Sequence, residues 1–235
     1  MLAHRSPALQ SENLLTGILT LMVCVLALFG GASGAASWLE ATSFVTGAAC
    51  VWLTVKENVW NFPIGLVNVT TFSVVFFQAR LYADAGLQIV YFALGVAGWM
   101  MWLHGGANRS PLKVTRAPLV ECVLSAVFVS LGTIALWSLL TNVGGSASFW
   151  DALTTSLSLA SQWLLNRKRV ESWLGWILVD VIYVPLYLCK ELYLTALLYA
   201  VFLAMAVVGL KAWTNSWRLQ VNAQEDSGAY QAILT

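Results

Sequence analysis

The chain has 235 residues, of which 59% are hydrophobic and 10% charged, with a net charge of +1 and a mean hydropathy of +0.75. Soluble domains carry about 25% charged residues, so this composition excludes a soluble globular protein and describes a polytopic membrane protein that meets the lipid bilayer. Near-neutral charge, with no basic run interleaved with aromatics, gives no basis for a nucleic-acid partner.

A window of about 19 residues marks eight apolar segments, near 14–30, 36–54, 60–78, 84–103, 118–140, 148–165, 173–189 and 192–212. Most approach the roughly 20 residues that cross a bilayer as a helix. None alternates polar with apolar as a barrel strand does. The first, preceded by Arg5 and followed by Gly-Ala-Ser-Gly-Ala-Ala, has the outline of a secretory signal and is read as an additional membrane helix. Cys24, Cys50, Cys122 and Cys189 lie in apolar segments without CxxC spacing and read as small hydrophobes, not as metal ligands or disulfides.

Eight crossings put both termini and the loops after segments two, four and six on one side. That side carries Arg5, Lys56, Arg109, Lys113, Arg116, Arg167, Lys168, Arg169, Lys211 and Arg218, against only Arg80 and Lys190 on the other. The asymmetry predicts that both termini are cytoplasmic. A wrong helix count would scramble it, so it also supports the count.

Sliding the chain against itself by 111 positions aligns Trp52 with Trp163, Leu53 with Leu164, Leu81-Tyr82 with Leu192-Tyr193, Gly98 with Gly209 and Trp102 with Trp213. Glu40 then falls on Asp151 and Lys56 on Arg167. The expected fold class is therefore all-α, with a 3+1+3 parallel-repeat core plus one N-terminal transmembrane helix. A single linking helix between three-helix units keeps both in one orientation. The division is 1–35 for the N-terminus and extra helix, 36–103 for the first repeat, 104–147 for a cytoplasmic loop and linking helix, 148–212 for the second repeat and 213–235 for a cytoplasmic tail.

Polar residues in the apolar segments fall into stripes at helical spacing. After Lys56-Glu57-Asn58, segment three offers Asn61, Gly65 and Asn68. Segment four offers Asp84, Gln88, Tyr91, Gly95, Gly98 and Trp102. Segment six offers Asp151, Thr155, Ser158 and Gln162, and segment seven Trp173, Trp176, Asp180, Tyr183 and Tyr187. Amides in bundles also hydrogen-bond neighbouring helices, at under about 2 kcal/mol each, and that alternative stands for each. Asn58 reads as loop or cap. Trp38, Trp60, Trp150, Trp213 and Trp217 read as interfacial belt residues, and Glu57 and Glu121 as solvated. Asp180, a carboxylate deep in a membrane helix, is a functional candidate.

Parallel-repeat carriers bind substrate near the midplane between repeats. The expected binding residues are Trp52, Asn61, Asn68, Gln88, Tyr91, Gln162, Trp173, Trp176, Asp180 and Tyr183. Aromatic walls, amides and a negative charge suit a planar cationic or polar heteroaromatic ligand, since a ring face attracts a cation by about 0.5–2 kcal/mol. Glu40, Asp84, Asp151 and Glu191 form a mildly acidic outer mouth. Pro63 falls in a first turn, whereas Pro185 lies deep enough in its helix to break a hydrogen bond. No cofactor, metal or catalytic residue is expected. His4 and His104 lie outside the segments, and Asp180 has no deep partner for proteolytic chemistry. Lys190 and Lys211 sit at helix ends, unlike a retinal-binding lysine. An enzyme or receptor is thus the weaker alternative.

The residues Lys56-Glu57-Asn58, Asn61, Gly65-Leu66-Val67-Asn68, Leu81-Tyr82-Ala83, Leu87-Gln88, Gly98-Trp99, Arg167-Lys168, Glu171, Trp173 and Trp176 resemble the PnuC transporters of nicotinamide riboside over about residues 38–215. The resemblance implies a fold like full-length SWEET sugar transporters, in a bacterial inner membrane. It implies facilitated diffusion of nicotinamide riboside, a vitamin B3 precursor of NAD, with cytoplasmic phosphorylation trapping it, and a homotrimer. By resemblance Asn68, Gln88 and Trp176 are site candidates. Asp180 departs from relatives in which an amide takes its place. Related members carry other vitamins such as thiamine or riboflavin, so these remain alternative substrates.

Overall fold

The computed structural model describes residues 7–32, 34, 38–78, 82–142, 148–189, 191 and 193–234. His4, Arg5, Arg80, Lys190 and the side chains of Glu40 and Asp84 fall outside that description, and half of the expected acidic mouth with them. Eight α-helices form at the eight apolar segments: α1 Pro7–Ala32, α2 Trp38–Val55, α3 Asn61–Gln78, α4 Tyr82–His104, α5 Leu119–Asn142, α6 Ser148–Asn166, α7 Ser172–Cys189 and α8 Tyr193–Leu234. Residues 213–234, expected as a separate tail, continue α8.

Six helices are long and apolar enough to cross a membrane, and α2 and α6 fall short among the described residues. The shortfall in α6 has a physical reason. Its inward face is polar, with Thr154, Ser156, Ser158, Ser161 and Asn166 all buried, and such a helix is tolerated where protein, not lipid, surrounds it. By contrast α5 turns Val120, Leu124, Phe128, Leu131 and Ile134 outward, as a lipid-facing helix must.

Neighbours in sequence pack together: α2 on α3, α3 on α4, α5 on α6, α6 on α7 and α7 on α8. Two further seams, α2 on α8 and α4 on α6, join the triplet α2–α4 to the triplet α6–α8, while α1 lies against α2 and α8.

The seams carry paired contacts at the end where α2, α4 and α6 finish. Trp102 Nε1 on α4 donates to the Leu165 carbonyl on α6 at 3.1 Å, and Trp213 Nε1 on α8 donates to the Thr54 carbonyl on α2 at 3.0 Å. Both carbonyls lie in the last turn of a helix, where intrahelical donors run out. Each ring also has an edge-to-face partner: Phe62 with Trp102 at 5.0 Å and Trp173 with Trp213 at 5.4 Å, both interplanar angles being 90°. Trp213, expected in the interfacial belt, is instead fully buried. Trp38, Trp60 and Trp150 are exposed, and Trp217 lies beneath the Arg116 guanidinium.

Glu57 and Glu121 are not freely solvated. Glu57 pairs with Lys168 at 3.3 Å, and Glu121 is buried between Arg167 and Arg169 at 3.2 and 2.9 Å. Each has charged neighbours on a turn that folds over it. Lys168 is itself buried, with its ammonium 4.4 Å from the centre of the Trp102 ring. Burial pushes the Lys168 ammonium below its ordinary value, and the Glu57 carboxylate opposes that shift. Glu57 and Lys168 both have positive φ, 54° and 51°, so each marks a left-handed turn after its helix. The linker before α5 is fastened to the same region. Thr115 N–H donates to the Lys168 carbonyl and Val170 N–H to the Thr115 carbonyl, both at 3.0 Å, and Glu171 pairs with Arg116 and accepts from the Ala117 N–H.

Replacing Trp213 by Phe keeps the ring contact and removes one buried hydrogen bond. The expected loss is about 1 kcal/mol, because the Thr54 carbonyl still accepts from the Glu57 N–H. Trp102→Phe should cost a similar amount, since the Leu165 carbonyl keeps the Lys168 N–H. Unfolding in detergent, followed by tryptophan fluorescence or heat, measures both.

Candidate functional site

The amide stripe of α3 seats the helix on its neighbour. Asn61 is 2% exposed and gives its amide to the Asn58 carbonyl at 2.7 Å, inside a turn that the Asn58 side chain caps by accepting from Trp60 N–H. A side chain at Gly65 would meet the Cys50 sulfur of α2 at 3.2 Å. Asn68 donates to the Ser43 carbonyl at 2.6 Å and to Thr46 Oγ1 at 3.1 Å, both on α2. Shared helical spacing here is explained by one packed interface. Asn68 is only half-buried, and its carbonyl oxygen accepts no hydrogen bond among the described residues.

Gln162 follows the same pattern one seam away. Its Nε2 donates to Asn166 Oδ1 at 2.9 Å, and Asn166 Nδ2 donates to the Leu94 carbonyl of α4 at 2.8 Å. Asn166 is fully buried and holds α4 to α6. It is one step of four beyond Gln162 in the stripe, and that spacing was the signal that could have found it. Gly98 lies directly under Asn166 and Phe62, where a Cβ would collide with both.

Trp173 is 2% exposed in the aromatic cluster of Phe62, Trp102 and Trp213, and Trp176 packs on the edge of that cluster. Trp52 lies at the end of α2 with the Lys56 ammonium 4.0 Å from its ring centre. These three belong to the layer that ties the helices at their basic end. Gln88 is half-buried on α4 and makes no hydrogen bond among the described residues.

The remaining candidates converge. Tyr183 lies beside Thr154 of α6, with Tyr91 of α4, Tyr187 and Asp151 as electrostatic neighbours. Tyr91 lies beside the buried Ser158 hydroxyl. Tyr183 and Tyr187 stack at 5.5 Å, and each sits 5.0 Å from Tyr199 of α8. Tyr199 meets Phe202 edge-to-face at 5.9 Å. Asp180, 6% exposed, is an electrostatic neighbour of Tyr199. Asp180 is eight residues beyond Ser172, roughly 12 Å into α7, and Tyr199 is roughly 9 Å into α8 from the opposite end.

Tyr187 and Tyr199 were not among the ten expected binding residues. Tyr199 and Phe202 are three apart on α8, a spacing that could have marked them. Asn68 approaches the same group from the far side: a Cβ at Gly47 would touch both the Asn68 amide, at 3.4 Å, and the Phe202 ring, at 3.7 Å. A carboxylate, four tyrosines, two hydroxyls and one free amide oxygen thus gather where α4, α6, α7 and α8 meet and α3 comes near. Such a set can hold a flat cation by its ring faces and carboxylate and read hydroxyls with its hydrogen-bonding groups. Two surface depressions among the described residues lie elsewhere, one lined by Met100, Met101, His104, Gly105 and Arg109 and one by Leu210, Lys211, Thr214, Asn215 and Arg218. The tyrosines touch one another, so a ligand would enter by parting them.

Residues 37–215 match the family described as nicotinamide mononucleotide transporter. The chain is 32% identical over 208 residues to the nicotinamide riboside transporter PnuC of Escherichia coli (strain K12), covering 77% of this chain and 87% of that one. It is 27% identical over 191 residues to the PnuC protein of Neisseria mucosa, covering 76% and 73% of the two chains. It is also 25% identical over 181 residues to the riboflavin/roseoflavin transporter RibM of Streptomyces davaonensis, covering 75% and 84%. Among solved structures, the crystal structure of the Vitamin B3 transporter PnuC matches with a TM-score of 0.71 over 91% of this chain and 99% of that one, at 22% identity, a likeness of fold. The match takes in α2 to the middle of α8, and with it both seams and the tyrosine cluster, so the chain belongs to the nicotinamide mononucleotide transporter family of membrane transporters.

Proposed function

We propose that the protein carries nicotinamide riboside across a bacterial inner membrane by facilitated diffusion, binding it between two three-helix repeats. The observation that carries this reading is the buried Asp180 beside Tyr199, whose ring packs with Tyr183 and Tyr187. Nicotinamide riboside has a pyridinium cation, a carboxamide and a ribose, which the tyrosine faces, the carboxylate and the neighbouring amides complement. Four curated relatives named for that substrate support it. Asn68, Gln88 and Tyr91 are the proposed polar contacts, with Tyr183 and Asp180 facing the ring. Phosphorylation of the nucleoside in the cytoplasm would trap it without a coupling ion.

The 3+1+3 reading is the architectural half of the proposal. The paired seam contacts support it, because Trp102 and Trp213, Phe62 and Trp173, and Gly98 and Gly209 are each separated by the offset that separates Glu57 from Lys168, 111 positions. The units would be α2–α4 and α6–α8, with α5 linking them. The basic turns Lys56, Arg109, Lys113, Arg116 and Arg167 to Arg169 support cytoplasmic termini. Assembly as a homotrimer rests on the family resemblance. A second substrate, riboflavin, is favoured by the likeness to RibM.

Isothermal titration of purified protein should give binding of nicotinamide riboside and none of riboflavin, thiamine or the mononucleotide. A riboflavin heat signal in place of the nucleoside's would establish the second reading. Gln88→Ala should weaken binding by about tenfold at unchanged thermal stability, whereas Asn68→Ala should also lower stability by removing its bonds to α2. In liposomes, uptake of labelled nucleoside should stop at equal concentrations on both sides. Accumulation driven by a proton or sodium gradient would refute facilitated diffusion.

A further inference from the structure

We infer that Asp180 is the charge selector of this carrier, the group that makes it prefer a positively charged ring to a neutral ring of the same shape. The inference rests on the nicotinamide riboside reading and assigns the discrimination to one residue. Asp180 is 6% exposed, and it accepts no hydrogen bond and joins no ion pair among the described residues. Of its possible electrostatic partners, the one identified is a tyrosine, Tyr199. The four ion pairs of the described residues all lie around the turns beyond α2 and α6. Each of their basic members, Arg116, Arg167, Lys168 and Arg169, belongs to those turns or to the linker before α5. The other described cations, Lys56, Arg109, Lys113, Lys211 and Arg218, sit in loops or toward the far end of α8.

A buried carboxylate without a partner costs stability and serves no packing purpose that an apolar residue would not serve better. Its electrostatic neighbour Tyr199 does not hydrogen-bond it, and belongs to a cluster of aromatic rings. Tyr183 and Tyr187 lie on the α7 face that Asp180 shares, at steps of three and seven, and Tyr199 closes the group from α8 at 5.0 Å from each ring. Together they would close around a flat cation once the rings part to admit it. The tyrosine faces attract such a cation weakly and would accept a neutral ring as well, by stacking. The Asp180 carboxylate, which can ionise against a bound cation, is the one feature that separates the two ligands.

The test compares two nucleosides with the same ribose and carboxamide: nicotinamide riboside, with its pyridinium, and its reduced dihydropyridine form, which carries no charge. Wild-type protein should bind the cation more tightly than the neutral form by about tenfold or more. Asp180→Asn keeps size and shape. It should lose that factor for the cation and leave the neutral form unchanged, so that the ratio falls toward one. Asp180→Glu should retain the preference. Equal wild-type affinity for the two nucleosides overturns the selector role even if no variant folds, and so does an Asp180→Asn protein that weakens both alike or neither, while the substrate reading stands in each case. Binding of neither nucleoside by wild type overturns the substrate reading itself, and the inference with it.

Discussion

Two indole hydrogen bonds and one ion pair tie the structure together at one end, and the rest is arranged around that tie. Trp102 reaches the Leu165 carbonyl, Trp213 reaches the Thr54 carbonyl, and Lys168 meets Glu57 between them. Helix ends leave carbonyls without intrahelical donors, and within an apolar environment such groups must find partners in the protein. Each triplet supplies a second donor to a carbonyl of the other, beside the turn N–H from which that carbonyl already accepts. The two glycines, Gly98 and Gly209, make the approach possible: a Cβ at Gly209 would lie 2.5 Å from the Trp173 ring.

The tie is strong in geometry and modest in energy. A buried hydrogen bond contributes about 0.5–1.5 kcal/mol net. Burying an ammonium costs several kcal/mol, which the Glu57 carboxylate and the Trp102 ring offset in part. Away from the tie the packing changes character. The tyrosine group holds by ring contacts at 5.0–5.5 Å, and Pro185 lies inside α7 between Tyr183 and Tyr187. A proline there removes a backbone hydrogen bond and eases bending. Under the proposed transport cycle, the rigid partners lie at the basic end and the adaptable ones where substrate would be held.

Apolar stretches and their spacing made all eight helices readable from the chain, because a helix that crosses a bilayer needs about 20 predominantly apolar residues. The site was read less well, for a definable reason. Helical spacing shows that Asn61, Gly65 and Asn68 share a face, but not whether that face meets a neighbour or a ligand. It meets α2, through Cys50, Ser43 and Thr46. Position along a segment misplaced Trp213 in the same way. An aromatic near a helix end reads as interfacial only if the helix stops there, and α8 runs on to Leu234. The charges of Glu57 and Glu121 found partners on turns more than forty residues away, a relation no local pattern carries. Asp180 was legible because its oddity is local: one carboxylate deep in an apolar helix.

The two triplets share their tie but not their chemistry. Asn68 of α3 corresponds in helix order to the buried Val179 of α7, beside Asp180. By the same 111-position offset, Gln88 of α4 falls on Tyr199 of α8. The amides Asn68 and Gln88 thus lie on α3 and α4, and Asp180 with three of the four tyrosines on α7 and α8. A symmetric ligand would gain nothing from that division. A nucleoside with a charged flat ring at one end and hydroxyls at the other can satisfy both triplets only in one orientation. Under the proposed function, the group that would orient it is the unpartnered Asp180 carboxylate, because the ring contacts around it are weak enough to be exchanged for a neighbouring ring.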